Sequence, residues 1–312
     1  MLEWPRCFRF IRDRHHLNTP FDAWNRMKWL VYGSKGWIGG MVKNELEKQG
    51  ETVIEAEVRA DDETAVEAEL LAVAPDRIMC LLGRTHGPGY STIDYLEQKG
   101  KLVENVRDNL YSPLVLALLG KKHGIHVTYL GTGCIFTDKQ DETLFTEESR
   151  PNFFGSGYST VKGFTDRLMH FLPVLNLRIR MPIVGHHHPR NFITKITSYE
   201  RICSIPNSMT VLEDMIPVMV RLSTQGTTGT VNLTNPGTIS HNEILEMYRH
   251  YVDSSFTWKN FTIEEQATIL LSERSNNELD STRLKELCPD ILPIRDSVEK
   301  IMKQWASDYN RK

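Results

Sequence analysis

Tyr158 and Lys162 stand four residues apart in Tyr158-Ser-Thr-Val-Lys162, a spacing that sets two side chains on one face of a helix. An ammonium beside a phenol lowers its pKa from about 10, so a tyrosine so placed can exchange a proton near neutral pH. The same pair also occurs as an ordinary helix contact. What argues for chemistry is Leu130-Gly-Thr132-Gly-Cys134-Ile-Phe, ending the preceding strand-like run and offering Thr132 as a hydroxyl for a substrate carbonyl. By position alone, Thr132 is equally a strand-end cap. Cys134 shares its strand face if the extended backbone continues, and is otherwise a small buried residue. Lys195, in Arg190-Asn-Phe-Ile-Thr-Lys195-Ile, reads as an acid or base, a phosphate contact or a surface charge. A sugar ketone acidifies the carbons beside it, so a base and an acid on opposite ring faces could invert those centres before reduction. Asn109, in a long helix upstream, is a candidate to support the site through a water.

A second constellation is Val31-Tyr-Gly33-Ser34-Lys35-Gly36-Trp37-Ile38-Gly39-Gly40. Glycines at this spacing, between a strand and a helix, allow a tight turn and bring backbone N–H groups to a pyrophosphate at the helix's positive end. Gly33 to Gly39 are therefore expected to bind a dinucleotide. After the second strand comes Arg59-Ala-Asp-Asp62. A basic residue there suits the extra phosphate of NADP, so Arg59, otherwise a solvated arginine, points to NADPH. His186, His187 and His188 are adjacent, but successive side chains point apart and no metal is expected.

The elements that must position these residues alternate. Strands are expected near 28–32, 52–58, 77–82, 125–130 and 174–180, with helices near 37–49, 62–74, 99–123 and 156–172. That rhythm means an α/β fold, a doubly wound parallel sheet of Rossmann type. Past Arg180 prolines punctuate shorter elements and helices dominate. The expected division is an amino-terminal extension over 1–26, a dinucleotide-binding domain over 27–182, and a smaller substrate lobe over 183–312 with some segments returning to the sheet.

Bulk properties narrow the classes. Across 312 residues the formal net charge is −3, which gives no reason to expect nucleic acid or an anionic membrane as partner. No apolar run approaches the ~20 residues that span a bilayer. Five scattered cysteines, without paired spacing, argue for reduced thiols and a cytoplasmic setting. Two glycosylation-type triplets, at Asn232 and Asn260, then carry no meaning.

Longer motifs add a resemblance. Tyr32-Gly-x-x-Gly-Trp-Ile-Gly-Gly40, Thr132-Gly-Cys-Ile-Phe136, Arg178-Ile-Arg-Met-Pro182, Pro189-Arg-Asn-Phe-Ile-Thr-Lys-Ile196, Ile205-Pro-Asn-Ser-Met-Thr210 and Arg274-Ser-Asn-Asn-Glu-Leu-Asp280 carry it. From about Met27 onward the chain resembles the bifunctional UDP-4-keto-6-deoxy-glucose 3,5-epimerase/4-reductases of rhamnose synthesis, extended short-chain dehydrogenases/reductases. The resemblance implies that Thr132, Tyr158 and Lys162 serve reduction and that Cys134 and Lys195 serve epimerisation. It implies that Asn191, Arg274 and Asn277 line the nucleotide-sugar pocket. It further implies NADPH as cofactor, a UDP- or dTDP-linked keto sugar as substrate, and a homodimer through helices beside the Tyr158 helix. The chain departs from the pattern at Cys80-Leu-Leu-Gly-Arg84-Thr-His86-Gly, where relatives carry Asn-Ala-Ala-Gly.

Three other readings stay open. One is a reductase served by a separate epimerase. Another is a partner-binding regulatory subunit that turns nothing over, against which the complete glycine loop and Tyr158/Lys162 pair argue. The third is a nucleotide-sugar dehydratase, which would need an acidic pair where Gly133-Cys134 stands.

Overall fold

The computed structural model describes residues 26–138 and 144–309; the expected extension before Arg26, with Cys7, lies outside them. The chain begins β1 (Lys28–Tyr32), α1 (Trp37–Lys48), β2 (Thr52–Glu55), α2 (Glu63–Val73) and β3 (Arg77–Cys80). After a loop come α3 (Leu102–Val106), a π-turn over Arg107–Tyr111, α4 (Ser112–His123), β4 (His126–Thr132), β5 (Leu144–Phe145), α5 (Gly157–Met169) and β6 (Leu175–Ile179). The remainder runs β7 (Pro182–Ile183), α6 (Phe192–Thr197), β8 (Arg201–Ile202), β9 (Thr210–Val211), α7 (Leu212–Thr224) and β10 (Gly229–Asn232). It ends α8 (His241–Tyr251), β11 (Lys259–Asn260), α9 (Ile263–Ala267), β12 (Glu278–Leu279), α10 (Thr282–Leu287) and α11 (Ile294–Tyr309).

Six strands form one parallel sheet in the order β10-β6-β4-β3-β1-β2. The order reverses between β1 and β3, the place where open sheets of this kind hold ligands beyond their carboxyl ends. Alternation along β1 feeds both faces: Trp29 and Val31 join the layer under α1 and α7, while Leu30 and Tyr32 join the layer under α2, α4 and α5. Each fully buried Val or Leu contributes roughly 1.5–3 kcal/mol, so both apolar layers hold the helices to the sheet. A separate apolar cluster, with Ile193, Ile244, Val298 and Trp305, joins α6, α8 and α11 into the smaller lobe.

The expected strand over 52–58 ends at Glu55, because β1 offers partners only as far as the Val31–Glu55 pairing. The expected helix over 99–123 is broken by the π-turn, in which Asn109 sits fully buried. The sixth strand, β10, was absent from the strands expected; it pairs with β6 and, with α7, returns the chain to the sheet. Among the described residues no helix is long and apolar enough to cross a membrane.

One buried ion pair fixes α5 to the sheet. Arg178 Nε and Nη2 donate to the two Asp166 oxygens at 2.8 Å each, and Asn176 Nδ2 donates to Asp166 Oδ1 at 2.8 Å. Such a pair gives position more than energy, since desolvation offsets most of its attraction. Thr165 Oγ1 donates to the Asn109 carbonyl at 2.7 Å, which ties α5 to the π-turn as well.

Candidate active site

The glycine loop is tight by construction. Gly33 has φ +88°, and a Cβ there would meet the Leu81 carbonyl oxygen at 2.9 Å. A Cβ on Gly39 would stand 1.9 Å from the Gly33 oxygen, so only glycine lets α1 start this close to β1. Among the described residues no side chain caps the first-turn amides of α1, and no acid stands in that turn, which leaves a positive end for phosphate. The residues present therefore fit a dinucleotide. Ser34 Oγ, within the loop, donates to Glu55 Oε2 at 2.7 Å, and Lys43 Nζ donates to Glu55 Oε1 at 2.5 Å. Lys43 holds the Glu55 carboxyl below the usual range. Arg59 lies beyond this, exposed, paired with Asp61 at 2.8 Å, and bordering a surface depression with Val58 and Asp62.

At the carboxyl end of β4, Thr132, Tyr158 and Lys162 come together. Ser156 caps α5, its side chain accepting from Ser159 N at 3.0 Å, and Glu97 Oε1 accepts from Gly157 N at 2.9 Å. That sets the first turn of α5, and Tyr158 with it, facing the sheet. Tyr158 shares a hydrogen bond with Thr132, whose Oγ1 also accepts from Cys134 N at 3.1 Å. Thr132 is thus both a cap and a partner of the phenol.

The electrostatics differ from the expectation drawn from spacing. Burial raises the Tyr158 phenol above its ordinary value, the neighbouring Cys134 adds to the rise, and the Thr132 bond opposes it. Lys162 is itself buried, which brings its ammonium down to about 8. Its Nζ donates to the Tyr129 hydroxyl, not to Tyr158, and lies 4.5 Å from the centre of the Tyr129 ring. Desolvation here outweighs the pull of one cation that is already engaged elsewhere.

Cys134 reaches the same place by a different route from the one expected. Strand β4 stops at Thr132, so Cys134 sits on a turn, packed with Tyr95, Leu96 and Tyr158. Beneath it, Asn277 Nδ2 donates to the carbonyls of Gly133 and Phe136 at 3.1 and 2.9 Å. Buried Arg180 donates to the Asn277 carbonyl at 3.2 Å, to Asn207 Oδ1 at 2.8 Å and to the Ser275 carbonyl at 2.9 Å. A Cβ on Gly133 would press on Arg180 Cγ at 2.9 Å, so the turn lies directly on the guanidinium stem.

Lys195, on α6, approaches from the smaller lobe. Its Nζ donates to the Ser91 carbonyl at 3.3 Å, and burial, with Arg190 nearby, lowers its pKa. Ser91 belongs to the same loop that packs Tyr95 and Leu96 on Cys134, so this loop spans the two residues. Arg190 Nη2 donates to His86 Nε2 at 2.5 Å, which makes His86 an acceptor there. His188 stacks on Trp37 at 4.7 Å, bringing the 184–191 loop over the glycine loop.

Other expected contacts are engaged within the protein. Asn191 is fully buried and caps α6, accepting from Ile193 N at 3.2 Å and donating to the Val184 and His186 carbonyls at 2.9 and 2.8 Å. Arg274 pairs with both Asp94 oxygens at 2.9 Å. Asn109 donates to Asn105 Oδ1 at 2.9 Å and the Arg84 carbonyl at 3.0 Å, and accepts from Arg84 N at 2.9 Å. Among the described residues, no group of three or more His, Cys, Asp or Glu is placed to hold a metal ion.

Comparison with known proteins decides the family. No family model matches the chain. A bifunctional dTDP-4-dehydrorhamnose 3,5-epimerase/dTDP-4-dehydrorhamnose reductase of Arabidopsis thaliana is 42% identical over 281 residues, 88% of this chain and 92% of the relative. The chain belongs to the nucleotide-rhamnose 3,5-epimerase/4-reductase family. The crystal structure of the L780 UDP-rhamnose synthase of Acanthamoeba polyphaga mimivirus agrees: 58% identity, TM-score 0.88, covering 90% of this chain and all of that one. A dTDP-4-dehydrorhamnose reductase of Bacillus anthracis, solved in complex with NADP, is 16% identical with TM-score 0.74, over 91% of this chain and 99% of that one, and shares the fold.

Four residues in contact with these groups carried no clear local signal in the sequence. Tyr129 and Arg180 lay inside expected strands and gave no sign of what they touch. His86 fell in a loop set aside as a departure from the family. Glu55 was hidden by overrunning β2, which pairs with β1 only as far as that residue.

Proposed function

We propose that this chain reduces a 4-keto-6-deoxy sugar carried on UDP or dTDP, after inverting its carbons 3 and 5, to give nucleotide-linked rhamnose. The observation that carries this reading is the convergence of Thr132, Tyr158, Lys162 and Cys134 on the carboxyl end of β4, two strands from the one that ends in the glycine loop. Thr132 and Tyr158 hold the ketone oxygen. A phenol held above its ordinary pKa keeps its proton at neutral pH and can deliver it to the oxygen that becomes the alcohol. When bound, NADPH supplies the hydride that reaches the carbonyl carbon. Gly33 to Gly39 would cradle its pyrophosphate, Lys162 its nicotinamide ribose, and Arg59 its 2′-phosphate.

With the ketone held, Cys134 and Lys195 form the proton-transferring pair at the neighbouring carbons: one takes the proton, the other returns one to the opposite face. Desolvated Lys195 has the lowered pKa such a role asks of an amine. Asn191 and Asn277 serve the nucleotide-sugar pocket by holding its walls, and Arg274 by fixing the Asp94 loop. Residues 27–182 make the dinucleotide domain; those after 182 make the substrate lobe, except the returning α7 and β10.

A homodimer fits the exposed apolar side chains Leu102, Val103, Phe164, Leu168 and Phe171 on α3, α5 and the residues just after it. Free thiols at Cys80, Cys134, Cys203 and Cys288 suit a cytoplasmic setting. The test is NADPH oxidation with UDP-4-keto-6-deoxy-glucose and with its dTDP counterpart, the product identified by mass and NMR. NADPH loss with rhamnose formed from either supports the reading. Both sugars inert, with NADPH still bound, would move the assignment to the regulatory subunit.

A further inference from the structure

Lys162 is buried among weakly acidic groups and one carboxylate. Facing its ammonium are Cys80 from β3, Tyr129 from β4, Cys134 from the turn beyond, and Asp166 from its own helix. Asp166 is committed to Arg178 and Asn176. Burial pushes the Cys80 thiol up to about 12, so it stands neutral. Tyr158, one turn back, is bonded to Thr132. What remains among the described residues is Tyr129, fully buried, whose oxygen accepts from Nζ. A phenol in this position stabilises an ammonium through a charge-assisted hydrogen bond. It asks for only one of the three Nζ protons, leaving two for other partners.

We propose that Tyr129 is a positioning residue for the reaction: a second phenol that holds Lys162 in place and keeps it charged while Tyr158 transfers the proton. This rests on the reductase reading of the site. It gives each phenol a separate task, since Tyr129 anchors the cation and Tyr158 faces Thr132 and the substrate oxygen. It also sets a pH window. Lys162 is protonated below about 8 and loses its proton as pH rises through that value. Without the Tyr129 oxygen the charged form is less favoured, so the midpoint must move down.

The test is Tyr129→Phe, which keeps the ring and removes the hydroxyl. Lysine Cε resonances, labelled with carbon-13, are followed against pH, and Lys162 is assigned by its loss in Lys162→Arg. This readout needs no substrate, so it stands even if the reductase reading fails, and wild-type turnover tests that reading in parallel. The expected result is a Lys162 midpoint near 8 in the wild type and about one unit lower in Tyr129→Phe. The high-pH limb of kcat/KM should shift by the same amount, a loss of about fivefold at pH 8. Identical midpoints in both proteins, with activity lowered evenly at every pH, would overturn the proposal and leave Tyr129 as packing. The wild type alone gives a check that needs no variant to fold. The Tyr129 Cζ resonance should titrate with the Lys162 midpoint, and a Tyr129 signal indifferent to that titration overturns the proposal equally.

Discussion

The two halves of the site are built on different foundations. Thr132, Tyr158 and Lys162 stand on a strand and a helix, and that helix is clamped to the sheet by Asp166–Arg178 and to the π-turn by Thr165. Cys134 stands on a turn and Lys195 on a six-residue helix, with a loop between them. The first half inherits its geometry from regular hydrogen bonding and apolar burial. The second depends on buried polar side chains, Asn277, Arg180 and Asn191, each holding loop carbonyls that no strand or helix satisfies. On the proposed roles, proton delivery to a ketone and proton exchange beside it can therefore be damaged separately, although they share the ketone's oxygen.

The largest separation should come from Tyr158→Phe. NADPH oxidation is expected to fall by about 10²–10⁴-fold, while deuterium from heavy water still enters carbons 3 and 5. Parallel loss of both would mean that the halves are one unit. Cys134→Ser should do the reverse: exchange at those carbons falls about 10²-fold, and reduction of the already epimerised keto sugar nucleotide holds within a few-fold. Asn277→Ala tests the scaffold itself. Removing its amide strips the Gly133 and Phe136 carbonyls of a buried donor, a cost of about 1–3 kcal/mol, seen as a melting temperature lower by several degrees. Epimerisation should suffer more than reduction; equal losses would place Cys134's support elsewhere. The smallest effect is expected at exposed Arg59. Arg59→Ala should raise the KM for NADPH by about tenfold or less and leave that for NADH unchanged, measured in the same assay.

The same contrast governs what the sequence made legible. Strand Lys28–Tyr32 and the helix start at Trp37 were readable because apolar alternation, three glycines and helical spacing all speak locally. The Tyr158/Lys162 face was readable for the same reason. Strand β10 is four residues long and is recognisable only by its pairing with β6, some fifty residues earlier. Glu55 was passed over because Ala56 and Val58 continue the alternation beyond the point where β1 stops pairing. The preference of Lys162 for Tyr129 over Tyr158 joins residues 33 apart in sequence, and Arg180 reaches Asn277 across 97. Spacing within a segment carries no record of such contacts, so the cation's true partner and the support beneath Cys134 came only from the fold.

One measurement bears most directly on two separable halves in a single chain. Wild type, Tyr158→Phe and Cys134→Ser would each be given UDP-4-keto-6-deoxy-glucose and NADPH in heavy water, with NADPH absorbance and carbon-bound deuterium followed in the same tube. Two separable halves require NADPH loss and deuterium at carbons 3 and 5 in the wild type. They also require deuterium without NADPH loss in Tyr158→Phe, and loss of deuterium at those carbons in Cys134→Ser. Wild-type reduction with no deuterium at either carbon would contradict this, leaving a reductase that relies on a separate epimerase.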